Sequence, residues 1–290
     1  MQSRIILCFS LILIVSPTLL MSQSLPGSFE GSVLSPDGSP LPYVSVGVIN
    51  EPIGTMSNEQ GHFALDLGRA SPQDTLKLSL VGYTSLEFIV GDLLNGKVGN
   101  VFHLTPQAIK LSAVEVIGKK RIKETTIGRK TRSGILQATF NPSTTKIRDK
   151  LGTEIGMKMP YSRKSSAVIK TFAWYISANN FNHLKFRVNI YALKNGLPDS
   201  LITHKSIPVE IPQKKTGWIT LDLQPYHILV HSDFVVSLQW LDSNMAGDGS
   251  PKIWIPGAVS PFGSTYYRDA SQDKWKRSRT KISYYVTLLY

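Results

Sequence analysis

The stretch from Gly54 to Leu67, "GTMSNEQGHFALDL", places two glycines and an asparagine within eight residues and then alternates apolar with other side chains. Two readings compete for it, a ligand-binding loop and the corner of a β-sheet. A calcium loop needs carboxylates on alternate positions, and Asn58-Glu59-Gln60-Gly61 lacks them. Asn and Gly are instead the residues that let a backbone reach positive φ in a turn. The period of two in Phe63, Leu65 and Leu67 then marks a half-buried strand. The corner reading is therefore adopted: a strand end, a turn around Asn58 to Gly61, and a new strand beginning at His62.

The same period extends in both directions. Phe29, Gly31 and Val33 alternate, as do Val44, Val46 and Val48, then Leu76, Leu78 and Leu80, then Leu86, Phe88 and Val90. Pro36-Asp37-Gly38 and Asn95-Gly96 supply turn chemistry between them. With "VFHL" (101–104) and "AVEVI" (113–117), about seven short strands at regular spacing predict an all-β sandwich with no competing helix.

These residues carry a family resemblance. "GSVLSPDGSPLPYVSVGV", "GTMSNEQGHFALDL", "LKLSLVGYTSLEF" and the closing "LSAVEVIG" resemble the carboxypeptidase-regulatory-like domain over residues 27–118. That resemblance implies a prealbumin-like, seven-stranded β-sandwich. In exported proteins of Gram-negative envelopes the module often precedes a TonB-dependent receptor plug and barrel, joined by a segment similar to Leu111–Val116. Only about 170 residues follow here, too few for a large receptor barrel, so the importer role does not carry over.

Residues 119–133, with seven basic side chains and one acid, are expected to form an exposed linker, with a phosphate or lipid patch as the alternative. From 134 to 290 a second β pattern begins. "TFAWYIS" (171–177), "HLKFRVNIYAL" (183–193), "WITLDL" (218–223), "DFVVSLQW" (233–240), "KIWIP" (252–256) and "KISYYVTLLY" (281–290) are rich in β-branched and aromatic residues. They predict a jelly-roll-like β-sandwich. A small membrane barrel is disfavoured because Lys185, Arg187 and several prolines interrupt any lipid-facing band.

The chain has 290 residues, 42% hydrophobic and 18% charged, enough for two cores. Residues 5–15 form an apolar run behind Arg4 that is too short to span a bilayer comfortably, and Ser22 and Ser24 follow it. A signal peptide over residues 1–24 is expected; an uncleaved anchor is the alternative, because only one basic residue precedes the run. The single cysteine, Cys8, falls inside that segment, leaving no thiol for disulfides, catalysis or metal thiolates. The net charge of +12 suits an anionic partner such as lipid headgroups or acidic glycans. Export makes nucleic acid the least fitting of the anionic partners.

Chemistry is sparse. None of the six histidines has Glu three residues later, as a zinc carboxypeptidase would need, and no His-Glu-x-x-His or Gly-x-Ser-x-Gly motif occurs. His227 and His231 flank a β-like run, so they do not stack as a zinc pair. Asp242, Asn244 and Asp248 echo a calcium loop but lack its bidentate glutamate, and a plain turn is preferred. Trp174, Trp218 and Trp240 read as core. Trp254, Tyr266, Tyr267 and Trp275 lie in Gly/Pro-rich or charged segments, where a flat ring could stack on a sugar, so they are the candidate ligand-binding residues. The expectation is an exported, non-enzymatic envelope module without metal or cofactor, binding a polysaccharide or an envelope protein. It would be membrane-associated at most, without spanning after signal cleavage. The alternative is a carbohydrate-active or peptidase-type enzyme with its site in the C-terminal half.

Overall fold

The computed structural model describes residues 27–107, 122–140, 150–163, 165–245 and 252–290. The expected signal segment, the "AVEVI" strand and Asp248 lie outside them. The first part contains β1 (Ser28–Leu34), β2 (Ser45–Val48), β3 (Gly54–Met56), β4 (His62–Asp66), β5 (Thr75–Ser79), β6 (Leu86–Ile89) and β7 (Val101–His103). They form two sheets, β4-β1-β7 and β3-β2-β5-β6, with β1 and β7 parallel. Val33, Val44, Val46, Phe63, Leu65, Leu76, Leu78 and Phe102 fill the space between, as their alternation requires.

The opening stretch is a corner, and it joins the two sheets rather than making a hairpin: β3 pairs with β2, whereas β4 pairs with β1. The Asn58 carboxamide oxygen accepts the backbone N–H of Gln60 at 3.0 Å and of His62 at 2.9 Å, and Gly61 takes φ +77°. A Cβ at Gly61 would also come within 2.5 Å of the Val33 carbonyl oxygen, so both conformation and space demand glycine. One element departs from expectation. The strand at Leu86 stops at Ile89, and Val90–Leu94 turns into a short helix, α1, that buries Val90 and Leu93.

The remainder contains β8 (Glu124–Gly128), β9 (Leu136–Thr139), β10 (Glu154–Met159), β11 (Ala167–Ile176), β12 (Ala178–Asn179), β13 (Phe181–Lys194), β14 (Leu197–Leu201) and β15 (Pro208–Ile211). It continues with β16 (Gly217–Asp222), β17 (Leu229–Val230), β18 (Phe234–Met245), β19 (Ile253–Val259), β20 (Thr265–Arg268), β21 (Lys276–Ser278), β22 (Thr280–Ile282) and β23 (Tyr284–Leu289). A seven-stranded sheet runs β14-β13-β18-β10-β20-β21, with β15 also on β13. It faces a five-stranded sheet, β16-β11-β23-β8 with β17 on β11, and a smaller one around β19. The result is a curled, jelly-roll-like sandwich whose core holds Phe172, Trp174, Phe186, Phe234, Trp240 and Tyr284. The basic segment 119–133 is not simply a connector: Glu124–Gly128 completes the five-stranded sheet by pairing with β23, and alternate residues Thr125 and Ile127 turn inward from exposed neighbours.

Along β13, Leu184, Phe186, Val188 and Ile190 point into this core. By the period of two, Arg187, Asn189 and Tyr191 must point out of the other face, yet each is buried. The first sandwich closes over Arg187, which donates to the Tyr43 carbonyl, whereas Tyr191 is covered by Tyr266 and Trp275 of its own sandwich. The residues alternating with Val46 and Val48 are Ser45 and Gly47, small enough for close approach. A Cβ at Gly47 would lie 2.0 Å from the Ser271 carbonyl oxygen, and one at Gly54 would lie 2.5 Å from it.

Gly47→Ala should therefore push the two sandwiches apart, at a cost of about 1–3 kcal/mol, the usual penalty for forcing atoms into filled space. Urea unfolding of the variant beside the parent checks this. Equal stability would mean that the close approach is not made in solution.

Candidate functional site

The outward face of the seven-stranded sheet holds a row of polar side chains set by strand register. Arg187 on β13 faces Gln239 on β18, Gln239 faces Glu154 on β10, and Glu154 faces Arg268 on β20. Asn189 and Ser237 stand side by side in the next row. Glu154 is fully buried, a position where a carboxylate survives only if it is paired and hydrogen-bonded. It has both. Arg268 donates to Oε2 through Nε at 2.9 Å and Nη2 at 2.5 Å, and the Tyr191 hydroxyl donates at 3.3 Å. Asn189 Nδ2 at 2.9 Å and the Ser237 hydroxyl donate to Oε1.

Arg187 is 3% exposed and makes a different set of contacts. Its donors reach the Ser206 hydroxyl at 3.1 Å, Gln239 Oε1 at 3.4 Å and the Tyr43 carbonyl at 2.5 Å. Tyr43, itself at φ +57°, ties the two sandwiches together a second time: its hydroxyl donates to Glu59 at 2.9 Å and accepts from Lys185 at 2.9 Å. Gln239 Nε2 donates to the Ser45 hydroxyl at 3.2 Å, and Gln272 Nε2 to the Ser79 hydroxyl at 2.7 Å.

Beside these contacts the sandwiches leave a cleft of about 770 Å³. Lys77, Tyr83 and Gln107 line it from the first sandwich, and Arg187, Asn189 and Thr203 from the second. Two buried atoms of residues that line it, Asn189 Oδ1 and Thr203 Oγ1, have no hydrogen-bond partner among the described residues. Burial lowers the Arg187 guanidinium from its ordinary value to about 10. At Arg268 burial also opposes the charge, but the Glu154 carboxylate overrides it and raises the value. Burial, reinforced by Glu154, pushes the Tyr191 phenol well above its ordinary range, and Tyr284 rises for the same reasons.

The four aromatic candidates do not converge. Tyr266 is not an exposed ring: it is 1% exposed, donates from its hydroxyl to the Gly196 carbonyl at 2.9 Å, and packs with Tyr191 and Val235. Trp275 joins that cluster, edge-on to Tyr191 at 5.4 Å and under the Arg268 guanidinium at 5.0 Å. Tyr267 points to the opposite face, against the main core. Trp254 sits on another sheet, 39% exposed, with Lys252 over its ring. Among the three tryptophans read as core, Trp218 is on the outer face instead, edge-on to Tyr175 at 5.3 Å and Tyr285 at 4.9 Å. Of the residues that do share a cleft, Lys77, Arg187 and Asn189 lie within strands and Thr203 and Gln107 in connections between them, and no local motif announces them.

This architecture defines a class, an all-β chain of two sandwiches with a polar cleft between them. Residues 29–116 match the family described as the CarboxypepD_reg-like domain, and they span the first sandwich. Among the described residues no three His, Cys, Asp or Glu side chains gather as a metal centre would require. No helix among them is long and apolar enough to cross a membrane. No curated protein matches the chain. Among solved structures, the cysteine protease and lectin-like domains of Cwp84, a surface layer associated protein of Clostridium difficile, are 11% identical over 47% of this chain and 31% of that one, with a TM-score of 0.34. The VP2 subviral particle of infectious bursal disease virus is 10% identical over 91% of this chain and 63% of that one, at 0.27. The chain thus spans less than two thirds of either.

Two outcomes follow from the buried row. Glu154→Gln should cost about 3–5 kcal/mol, because Arg268 then loses its counter-charge in a dry site, and adding Arg268→Met should recover part of that loss. Denaturant unfolding of the single and double variants measures the coupling; additive losses would contradict it. Raising pH should also weaken the fold. Above about pH 10 the unfolded chain releases its phenol protons while folded Tyr191 and Tyr284 keep theirs, so the unfolded state binds fewer protons and stability falls. Arg187 works with the opposite sign above about pH 10, one guanidinium against two phenols. Urea midpoints across that range should decline, with phenolate absorbance lagging until unfolding.

Proposed function

We propose that the chain is an exported binding module of a Gram-negative cell envelope and that it holds a segment of polysaccharide in the cleft between its two sandwiches. The export reading rests on the apolar run at residues 5–15 followed by small residues. The cleft carries the binding reading. Ligand sites occur preferentially at domain interfaces, where preformed walls present a few converging polar groups. Here the walls come from both sandwiches and carry hydroxyl, amide and guanidinium groups, with the Tyr83 ring beside them. Such a lining suits a hydroxyl-rich ligand better than an apolar one. The division into a regulatory-like sandwich and a C-terminal jelly-roll-like one is part of the same reading, the first forming one wall and the second the other. An envelope protein is the other partner class and would replace the glycan if the cleft fails to bind saccharides.

Titration calorimetry of the full chain against envelope and capsular oligosaccharides tests the proposal. Binding is expected, with Tyr83→Ala weakening it about tenfold if the ring stacks on a sugar face. Absence of binding to every saccharide, or binding untouched by Tyr83→Ala and by substitution at Gln107, would overturn it.

A further inference from the structure

We infer that the cleft recognises an acidic sugar: a uronate whose carboxylate sits against Arg187 and Thr203 while a neighbouring hydroxyl donates to Asn189 Oδ1. This rests on the glycan reading above and names the class of glycan.

The charge balance of the cleft points there. Lys77, Arg187 and Arg268 line it against one carboxylate, Asp199 on the exposed rim. Lys77 pairs with Glu87 at 2.8 Å, and Arg268 is bound to Glu154. Arg187 differs from both. Its hydrogen-bond partners are a hydroxyl, an amide oxygen and a backbone carbonyl, all neutral. Glu154, the nearby buried carboxylate, already takes its donors from Arg268, Tyr191, Asn189 and Ser237. A buried cation without a paired anion is an unfavourable arrangement, and an oxyanion arriving in the cleft relieves it.

The two unpartnered atoms refine the choice of anion. Thr203 Oγ1 is a buried hydroxyl with no partner among the described residues, so its proton is uncommitted. Asn189 commits its amide nitrogen to Glu154 Oε1 and Gln239 Oε1, which leaves Oδ1 as an acceptor in search of a donor. A bare carboxylate would satisfy Thr203 and repel Asn189 Oδ1. A sugar acid brings acceptor and donor on adjacent carbons. A peptide C-terminus also carries a carboxylate and an N–H, but its side chains would need apolar walls. The cleft offers few aliphatic surfaces, Leu80, Val81 and Leu201.

The experiment is titration calorimetry of the full chain at low salt with galacturonate, glucuronate and mannuronate tetramers. Their carboxyl-reduced counterparts, a tetrapeptide with a free C-terminus and inorganic phosphate complete the set. At least one uronate tetramer should bind, its reduced form about tenfold or more weaker, and Thr203→Val should weaken the uronate about fivefold. Because Thr203→Val removes a buried hydroxyl that has no partner, its Tm should stay level or rise, which separates lost recognition from lost folding. Equal binding of uronate and reduced tetramers would overturn the anion assignment and leave the glycan reading standing. Binding of neutral glycans alone would do the same. Binding of the peptide or of phosphate without any uronate would overturn the uronate assignment, and silence from every saccharide would overturn both readings.

Discussion

Glu154 is a carboxylate without access to water, and the register of the seven-stranded sheet follows from what it needs. A lone charge in such a place would neutralise itself or unfold its surroundings. Its donors come from strands β13, β18 and β20, so they meet at one carboxylate only if the four strands hold a single register. A slip of one residue on β10 would send Ile155 toward the polar row and drive Glu154 into the core of aromatic and aliphatic side chains. The polar row thereby fixes the register that the apolar face also demands, and the two requirements reinforce each other.

A polar face buried inside one chain needs a lid, and the regulatory-like sandwich supplies it. The lid is not greasy. It presents Ser45, Gly47, Gly54 and Ser79 to the row, and Tyr43 contributes both a carbonyl and a hydroxyl. Small residues let backbone approach backbone at Ser271, and the side-chain amides of Gln239 and Gln272 bridge what remains. Interfaces of this kind gain more from geometric fit and hydrogen bonding than from apolar area, so they hold partners in one orientation. A cleft bordered by such an interface keeps its walls in place before any ligand arrives, which lowers the entropy cost of binding.

The sequence disclosed the alternation and therefore the sandwiches. Val46 and Val48, Phe63 and Leu65, Phe186 and Val188 were readable because one face was apolar. It disclosed the corner too, since Asn58 and Gly61 have few other uses. What alternation could not show was the fate of the second face. Ser45 and Gly47 look like solvent-facing positions, and Lys185 and Arg187 look like pattern breakers, until the two are placed against each other. The signal was there in part: a surface strand seldom spends its outward positions on serine and glycine rather than lysine or glutamate. The central strand β10 escaped because "EIGMKM" mixes a charge, a glycine and two methionines, which matches no strand template. Tyr266 departs from its expected exposure for a related reason. Gly/Pro-rich surroundings suggested exposure, but Tyr266 lies on a strand whose outward face is itself buried.

Unsatisfied polar atoms usually mark a defect or a function, and their surroundings decide which. Trp174 Nε1 and the Tyr284 hydroxyl also lack partners, but both belong to side chains enclosed in the main core, where nothing from outside can reach them. They are a fixed cost offset by the size of the rings they accompany. Asn189 and Thr203 line a cavity, as Arg187 does, so their orphaned Oδ1 and Oγ1 lie buried just behind its surface. Of these four orphans, only Asn189 Oδ1 and Thr203 Oγ1 belong to residues that line the cleft. A fold under pressure for stability alone would replace Thr203 with valine and lose nothing. Keeping a hydroxyl, an amide oxygen and an incompletely matched guanidinium on one wall makes sense if something with the complementary groups occupies it.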